Sequence, residues 1–228
     1  MSTRPASAAA TRKTPPDHWD PHETTIRLSE NQPKFKCVLQ WARGNRILDL
    51  GCNDGALVDR LQEGGVFAVG GDRFAYARVA SQTYAIPVLA LDAEQPLPFA
   101  AESFDTVVVS GLLEYVDDSR SVLREVRRIL IPAGRLILIA PNANSLGRTL
   151  RRRLRGQTPE TRYDQREWEN MLADAGFAIR ELRYCPYKVT SGRARLLYWA
   201  ELVWLSRWAT DFAFFCEPLT GEEFARQQ

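Results

Sequence analysis

The chain of 228 residues has few of the side chains that build metal centres and disulfide frameworks. It contains only two histidines and four cysteines without a CxxC pair: Cys37, Cys52, Cys185 and Cys216. Zinc sites and disulfide scaffolds need such residues in larger numbers or at close spacing. The sequence therefore predicts no metal site and no disulfide framework, and we expect a cytoplasmic protein with reduced thiols.

Long apolar segments and a strong charge of one sign are also missing. Residues 1–18 are rich in Pro, Ser, Ala and Thr, lack the apolar run of a signal peptide and are expected to form a disordered tail. No stretch is long and apolar enough to predict a transmembrane segment. The formal net charge of +2 is too small for general nucleic-acid binding, which depends on many cations.

What remains is an ordinary globular composition. Hydrophobic residues make up 45% of the chain and charged residues 25%, close to the averages for soluble domains. The length suits one domain with its own core, and it is short for two enzyme domains and a linker. We therefore expect residues 19–228 to form a single domain.

Short apolar runs alternate with helical segments through much of the chain. Five runs are predicted as strands: Ile47–Leu50, Val66–Val69, Val88–Leu91, Thr106–Val109 and Arg135–Ala140. Helices are predicted around them, at Arg27–Arg43, from Ala56, at Phe74–Thr83 and at Ser119–Leu130. Parallel neighbouring strands need such crossover helices. The predicted fold class is therefore α/β, a Rossmann-like doubly wound and mostly parallel sheet.

The pattern changes after Pro141. A helix is predicted over Asp164–Ala175, followed by strands at Phe177–Tyr184 and Asp211–Cys216. We expect these last two strands to form an antiparallel addition to the sheet at its C-terminal end.

Three loops after predicted strands carry residues suited to a ligand. Ligands of open α/β sheets bind beyond the carboxyl ends of the strands. Gly51 and Gly55 remove side chains where a ligand must approach the backbone, and Asn53 tolerates a positive φ. Asp72 follows the second strand, where a carboxylate can accept both hydroxyls of a ribose, and Asp92 follows the third. Together these residues predict an adenosine-shaped ligand.

Five ordered blocks between Arg46 and Phe177 carry a family resemblance. They read RILDLGCNDGALVDRL, VGGD, LDAEQPLPFAAESFDTVVVSGLLEYVDD, EVRRILIPAGRLILIAPN and EWENMLADAGF. In these blocks the chain resembles the class I S-adenosylmethionine-dependent methyltransferases, most closely their broad type 11 group of small-molecule enzymes. The resemblance implies S-adenosylmethionine as the cofactor, a cofactor half over residues 44–142, and a region over residues 143–228 that shapes the acceptor site.

The resemblance also implies a set of cofactor-binding residues. The loop after the first strand would contact the methionine part, the acid after the second strand the ribose, the third loop the adenine, and the loop after the fourth strand the transferable methyl. The implied residues are Asp49, Gly51, Cys52, Asn53, Gly55, Asp72, Arg73, Asp92, Ala93, Ser110, Gly111 and Leu112.

Two departures from the family pattern affect the expected function. Asn53 stands where relatives usually have glycine, and Glu114 and Tyr115 stand where relatives often carry a histidine. No catalytic residue is identified, and Tyr115, Glu114 and His22 are weak candidates for a general base. The expected function is in-line methyl transfer to a small-molecule or lipid-like acceptor. The alternative is a non-catalytic binding or accessory protein that acts through a partner.

Two further segments keep more than one interpretation. Five arginines between Arg148 and Arg155 form either a solvated helix or a surface that recognises an anionic acceptor group or membrane headgroups. The aromatic segment 196–209 is interpreted as a buried helix, an acceptor channel, a dimer face or a peripheral membrane contact. The sequence predicts neither the acceptor nor the oligomeric state.

Overall fold

A computed structural model describes residues 33–145, 163–185, 209, 211–220 and 223. Several predictions fall outside these ranges: the N-terminal tail over residues 1–18, the general-base candidate His22, the arginine segment Arg148–Arg155, and residues 196–208 of the aromatic segment. Within the described ranges, no helix has the length and apolar run needed to cross a membrane.

One sheet of seven strands forms the centre of the protein. In chain order the strands are β1 (Arg46–Leu50), β2 (Phe67–Asp72), β3 (Val88–Ala90), β4 (Phe104–Ser110), β5 (Leu130–Pro141), β6 (Phe177–Cys185) and β7 (Asp211–Pro218). The described helices are α1 (Pro33–Trp41), α2 (Ala56–Glu63), α3 (Phe74–Thr83), α4 (Ser119–Ile129) and α5 (Gln165–Asp174), with a 3₁₀ turn at Leu113–Tyr115.

The order of the strands across the sheet is β3-β2-β1-β4-β5-β7-β6. The first five strands pair in parallel, whereas β7 is antiparallel to both β5 and β6. This arrangement confirms the predicted doubly wound sheet with an antiparallel C-terminal addition. The order reverses at β1, so the crevice beyond the carboxyl ends of β1 and β4 is the expected ligand position.

Two apolar clusters cover the two faces of the sheet. Leu48 of β1 points into a cluster with Val126 of α4 and Trp168 of α5. Ile47, the preceding strand residue, points to the other face, where it joins Val38 of α1. Side chains alternate between the faces of a strand, so neighbouring residues of β1 serve both clusters. The sheet is therefore buried on both sides, as parallel sheets usually are.

The helices α4 and α5 begin at well-formed N-caps. The Asp118 carboxylate accepts a hydrogen bond from the backbone N–H of Ser121 at 3.0 Å. At α5, Asp164 accepts from the backbone N–H of Glu167 at 2.9 Å, and the Glu167 side chain accepts from the backbone N–H of Asp164 at 2.7 Å. Such caps satisfy backbone N–H groups that have no partner within the helix. They fix where both helices start on the same face of the sheet.

The structure extends β5 beyond its predicted start. The strand begins at Leu130 rather than Arg135, because Leu130 pairs with Phe104 before the register shifts to Arg135 opposite Thr106. The intervening residues include Pro132 and Gly134, which read in sequence as a turn. The irregular pairing explains both the missed start and the helix end at Ile129 instead of Leu130.

Candidate functional site

The carboxyl ends of β1, β2 and β3 meet at one edge of the sheet. Asp49 pairs with Gly70, and Asp72 pairs with Ala90. The backbone N–H of Leu91 donates to the carbonyl of Asp72 at 2.8 Å, so Asp92 follows directly on the strand beside Asp72. The register therefore brings the three predicted loops to the same edge.

The loop after β1 folds back against the end of β2. The backbone N–H groups of Gly51 and Cys52 both donate to the carbonyl of Gly71, at 2.7 and 3.3 Å. Gly51 has a φ of 85°, and Gly55, the N-cap of α2, has a φ of 83°. Residues with a side chain rarely adopt a positive φ of this size, which explains the two glycines of the motif. The loop thus presents backbone rather than side chains at the start of α2.

The loops after β1 and β4 approach each other closely. A Cβ atom at Gly51 would lie 3.1 Å from the Cβ of Leu112, which is tighter than ordinary contacts. Gly111 has a φ of 67° and donates its backbone N–H to the carbonyl of Ile139 at 3.0 Å. The predicted loop Ser110–Leu112 therefore borders the glycine loop, and its own position is fixed by β5.

Asp72 connects the ends of two strands through its carboxylate. Its Oδ2 atom accepts a hydrogen bond from the backbone N–H of Asn53, and Oδ1 accepts from the backbone N–H of Arg73, both at 2.7 Å. An ionised carboxylate has about four lone-pair sites, so both oxygens can accept further bonds from a ribose. The sequence predicted a ligand role for Asp72, and the structure adds that Asp72 also holds the glycine loop.

Buried acids surround this loop. Asp49 and Asp54 are 4% and 2% exposed, and Asp72 is half-buried. Burial, with the nearby charges of Asp72 and Asp54, raises the pKa of Asp49 to about 8. Burial also raises the pKa of Asp72, although its two backbone hydrogen bonds oppose the shift. The pKa of the Cys52 thiol is raised by burial and by the same acids. Burial and repulsion between neighbouring acids therefore favour the protonated form of Asp49 at this loop.

The Asn53 side chain is an unusual feature of the loop. The residue is 6% exposed with a φ of 48°, and neither the amide oxygen nor the amide nitrogen has a hydrogen-bond partner among the described residues. Leaving one buried polar group unsatisfied costs about 1–3 kcal/mol, so such groups are usually paired. The amide offers one acceptor and two donor hydrogens, which fits the ammonium and carboxylate groups of the methionine part of S-adenosylmethionine.

The loop after β3 is a tight turn held by hydrogen bonds to Asp92. Asp92 accepts the backbone N–H of Glu94 at 3.1 Å through Oδ1, and its carbonyl accepts the backbone N–H of Gln95. Ala93 between them is buried. The turn places a half-buried carboxylate and backbone polar groups beside Asp72, an arrangement that can read a nucleobase.

Glu94 is a residue that the sequence analysis missed. Its carboxylate lies 3.5 Å from the Arg73 guanidinium and accepts the backbone N–H of Asp117 at 2.7 Å. It therefore links the loops after β2, β3 and β4. Its place two residues after Asp92 was the only available signal, because loop contacts of this kind leave no periodic pattern.

The structure describes two of the three candidates for a general base. Glu114 is 5% exposed and lies in the 3₁₀ turn after β4; its Oε1 would be 3.7 Å from a Cβ atom at Gly111. Tyr115 is half-buried in the same turn. His22 lies outside the described residues. The loop after β4 thus holds Glu114 and Tyr115 near the predicted methyl position, but their roles stay predictions.

The described ranges contain no group of three or more His, Cys, Asp or Glu side chains arranged to hold a metal ion. What the site does offer is a sheet edge with backbone N–H groups, buried carboxyl groups and one amide. These groups can bind a cationic, nucleoside-containing ligand and position its reactive atom.

Residues 48–138 match a family model described as a methyltransferase domain. The match covers two of the five sequence blocks in full and two others in part, and it confirms the predicted resemblance. A methyltransferase domain needs a methyl donor, and S-adenosylmethionine is the donor that the sequence resemblance implies.

Part of the chain is also similar to curated enzymes. A demethylmenaquinone methyltransferase of Mycolicibacterium paratuberculosis is 34% identical over 120 residues, which are 50% of this chain and 52% of that protein. The chain spans about half the length of the curated relatives it matches.

Among solved structures, a chain from the complex of the Haloferax volcanii Trm112 methyltransferase activator with a methyltransferase has a TM-score of 0.71 at 18% identity. The similarity covers 88% of this chain and 93% of that chain. An S-adenosylmethionine-dependent methyltransferase of Mesorhizobium loti has a TM-score of 0.64 at 18% identity, with coverage of 82% and 99%. These likenesses show the fold.

Proposed function

We propose that this chain, whose residues 48–138 match a methyltransferase domain, transfers a methyl group from S-adenosylmethionine to a small-molecule or amphipathic acceptor. The proposal rests on the groups that the structure brings together at the carboxyl ends of β1 and β2. Asp49 and Asp72 lie there beside the unsatisfied amide of Asn53, and a Cβ atom at Gly51 or Gly55 would press on a neighbouring side chain. That combination suits a ligand with a cationic centre, an amino acid part and a ribose.

In the proposal, each part of the cofactor contacts different residues of this edge. Asp72 accepts the ribose hydroxyls while it keeps its bonds to the glycine loop. Asp92 and Ala93 contact the adenine. The Asn53 amide and the backbone of Gly51 bind the methionine part, and the loop Ser110–Leu112 borders the methyl group. Arg73, paired with Glu94, holds the second and third loops together around the nucleoside.

The bound cofactor supplies a methyl group that its sulfonium already activates for displacement. The protein therefore has to position the acceptor and exclude water, and alignment alone can contribute roughly 7–11 kcal/mol to catalysis. In the proposal, Glu114 or Tyr115, both in the 3₁₀ turn after β4, accepts a proton of the acceptor. A general base would add about 10²–10⁴-fold when the acceptor must lose a proton.

The acceptor is proposed from the relatives rather than from the site. Several curated relatives that match about half of their length are named demethylmenaquinone methyltransferases. Demethylmenaquinone is a small, lipid-like quinone, which agrees with the amphipathic acceptor expected from the sequence. We assign the cofactor to residues 44–142 and the shaping of the acceptor site to residues 143–228, much of which lies outside the described ranges.

The test is an assay for S-adenosylhomocysteine. The chain is incubated with methyl-labelled S-adenosylmethionine and a panel of acceptors, beginning with a short-chain demethylmenaquinol. We expect acceptor-dependent release of S-adenosylhomocysteine with label in the acceptor. An Asp105→Ala variant, altered at the amino edge of the sheet, should keep this activity.

Cofactor binding without turnover for any acceptor would instead favour the accessory protein considered from the sequence. Failure to bind the cofactor at all would contradict the proposed methyl transfer.

A further inference from the structure

Two cysteines that lie 148 positions apart in sequence come together on one face of the sheet. Cys37 of α1 and Cys185 at the end of β6 are 4% and 3% exposed and belong to the same apolar cluster. Their side chains form a hydrogen bond with each other. Neither cysteine is in a disulfide bond. Neither residue takes part in the site described above.

The packing of α1 on β6 explains the pairing. The Trp41 indole N–H donates to the Glu181 carboxylate at 3.0 Å, and the Arg183 guanidinium carbon lies 4.8 Å from the centre of the Trp41 ring. Cys37 lies about one helical turn before Trp41, at a distance of about 6 Å along the α1 axis. Cys185 lies two residues after Arg183, about 6.6 Å along β6 and on the same face of the strand. The helix and the strand thus run in opposite directions with the two thiols opposite each other.

Arg183 provides the chemistry that makes one thiol reactive. It hydrogen-bonds to the Cys37 side chain and is held by Glu181 at 2.6 Å and by Gln40 at 2.6 Å. The hydrogen bond from Cys185, together with Arg183, lowers the pKa of Cys37 to about 7, whereas the pKa of Cys185 is raised by its bond to Cys37. A thiolate beside a cation and next to a second thiol is the usual arrangement of a redox-active cysteine.

We propose that Cys37 and Cys185 form a reversible disulfide when the protein meets hydrogen peroxide. The Cys37 thiolate attacks one peroxide oxygen, the O–O bond breaks, and Cys37 becomes a sulfenic acid while hydroxide leaves. The Cys185 sulfur then attacks the Cys37 sulfur, the S–O bond breaks, and the S–S bond forms with loss of water. In total the two thiols lose two electrons and two protons, and hydrogen peroxide becomes two water molecules.

The position of the pair gives this oxidation a structural effect. Cys185 pairs with Asp211, which in turn pairs with Pro141 at the end of β5, so the pair lies at the carboxyl edge of the sheet. A disulfide would tie α1 to β6 at the edge that carries the cofactor loops. Arg183, which acts on the Cys37 thiol, has a side chain that is 35% exposed, so the thiol pair lies close to the protein surface.

The other two cysteines serve as internal controls. Cys52 and Cys216 are buried, and burial raises the pKa of both thiols. Neither has a cation among the groups that shift its pKa. They should stay reduced under conditions that oxidise the pair, because the thiolate is the reactive form.

The test is mass spectrometry of the folded chain after treatment with an equimolar amount of hydrogen peroxide. We expect the loss of two of the four free thiols and a non-reduced peptide that joins Cys37 to Cys185. A thiol reductant should restore both thiols. The oxidised chain should melt about 5–10 °C higher than the reduced chain, since the bond closes a long loop.

Variants separate the steps of the reaction. Cys185→Ala should leave a Cys37 sulfenic acid that dimedone traps, and Cys216→Ala should oxidise like the unmodified chain. Arg183→Gln keeps both thiols and should slow oxidation about tenfold. Four free thiols after treatment, a disulfide that involves Cys52 or Cys216, or an unchanged rate in Arg183→Gln would each overturn the proposal.

Discussion

Replacing Asp72 with alanine is expected to weaken S-adenosylmethionine binding by about 10²–10⁴-fold, since each of two lost charge-assisted hydrogen bonds contributes about 1.5–3 kcal/mol. The change also removes the acceptor for the backbone N–H groups of Asn53 and Arg73, so the glycine loop loses its fixed position. Calorimetric titration with the cofactor measures the affinity. A melting curve of each variant shows separately how much folding stability is lost.

Asp105→Ala is the matched control for this change. The Asp105 carboxylate accepts backbone N–H groups of Asn45 and Arg46 at 2.9 and 3.0 Å and pairs with the Arg46 side chain, but at the amino edge of the sheet. Its removal should cost stability and leave cofactor affinity unchanged. If Asp72→Ala bound the cofactor as well as Asp105→Ala, the proposed ribose contact would be wrong.

The second large effect concerns the pH dependence of stability. In an unfolded chain the carboxyl of an aspartate has a pKa of about 3.9. Burial first, and then Asp72 and Asp54, raise the pKa of Asp49 to about 8 in the folded state. Between these values the folded state binds more protons than the unfolded state, so the free energy of unfolding falls as the pH rises from about 4 to about 8.

Asp49→Asn removes this titration while keeping the shape of the side chain. The variant should therefore be more stable than the unmodified chain above pH 8, and the difference should shrink towards pH 4. Urea unfolding at several pH values measures the free energy for both proteins. Asp117→Asn, at an exposed position, is the control and should follow the unmodified chain. Parallel curves for Asp49→Asn and the unmodified chain would contradict the assigned burial and repulsion.

The fold and the position of the site could be predicted because local patterns determine them. Apolar runs of strand length alternate with helical spacing, and glycines or acids follow each run, as at Gly51, Asp72 and Asp92. Parallel register then brings the strand ends to one edge without any further information. The helix Phe74–Thr83 was predicted with the bounds that the structure gives.

Contacts between distant segments could not be predicted in this way. Asp72 holding the backbone of Asn53, and Glu94 bridging to Arg73 and Asp117, depend on how three loops meet in space. The buried and unsatisfied amide of Asn53 is visible only once burial is known. The Cys37 and Cys185 pair forms only because α1 packs on β6, which the sequence spacing does not reveal.

A crystal structure of the chain with bound S-adenosylhomocysteine tests the central claim most directly. We predict the ribose on the carboxylate of Asp72, the adenine beside Asp92 and Ala93, and the amino acid part within hydrogen-bond distance of the Asn53 amide. A ligand bound away from the carboxyl ends of β1, β2 and β3, or a saturated solution that leaves this edge empty, would contradict the account.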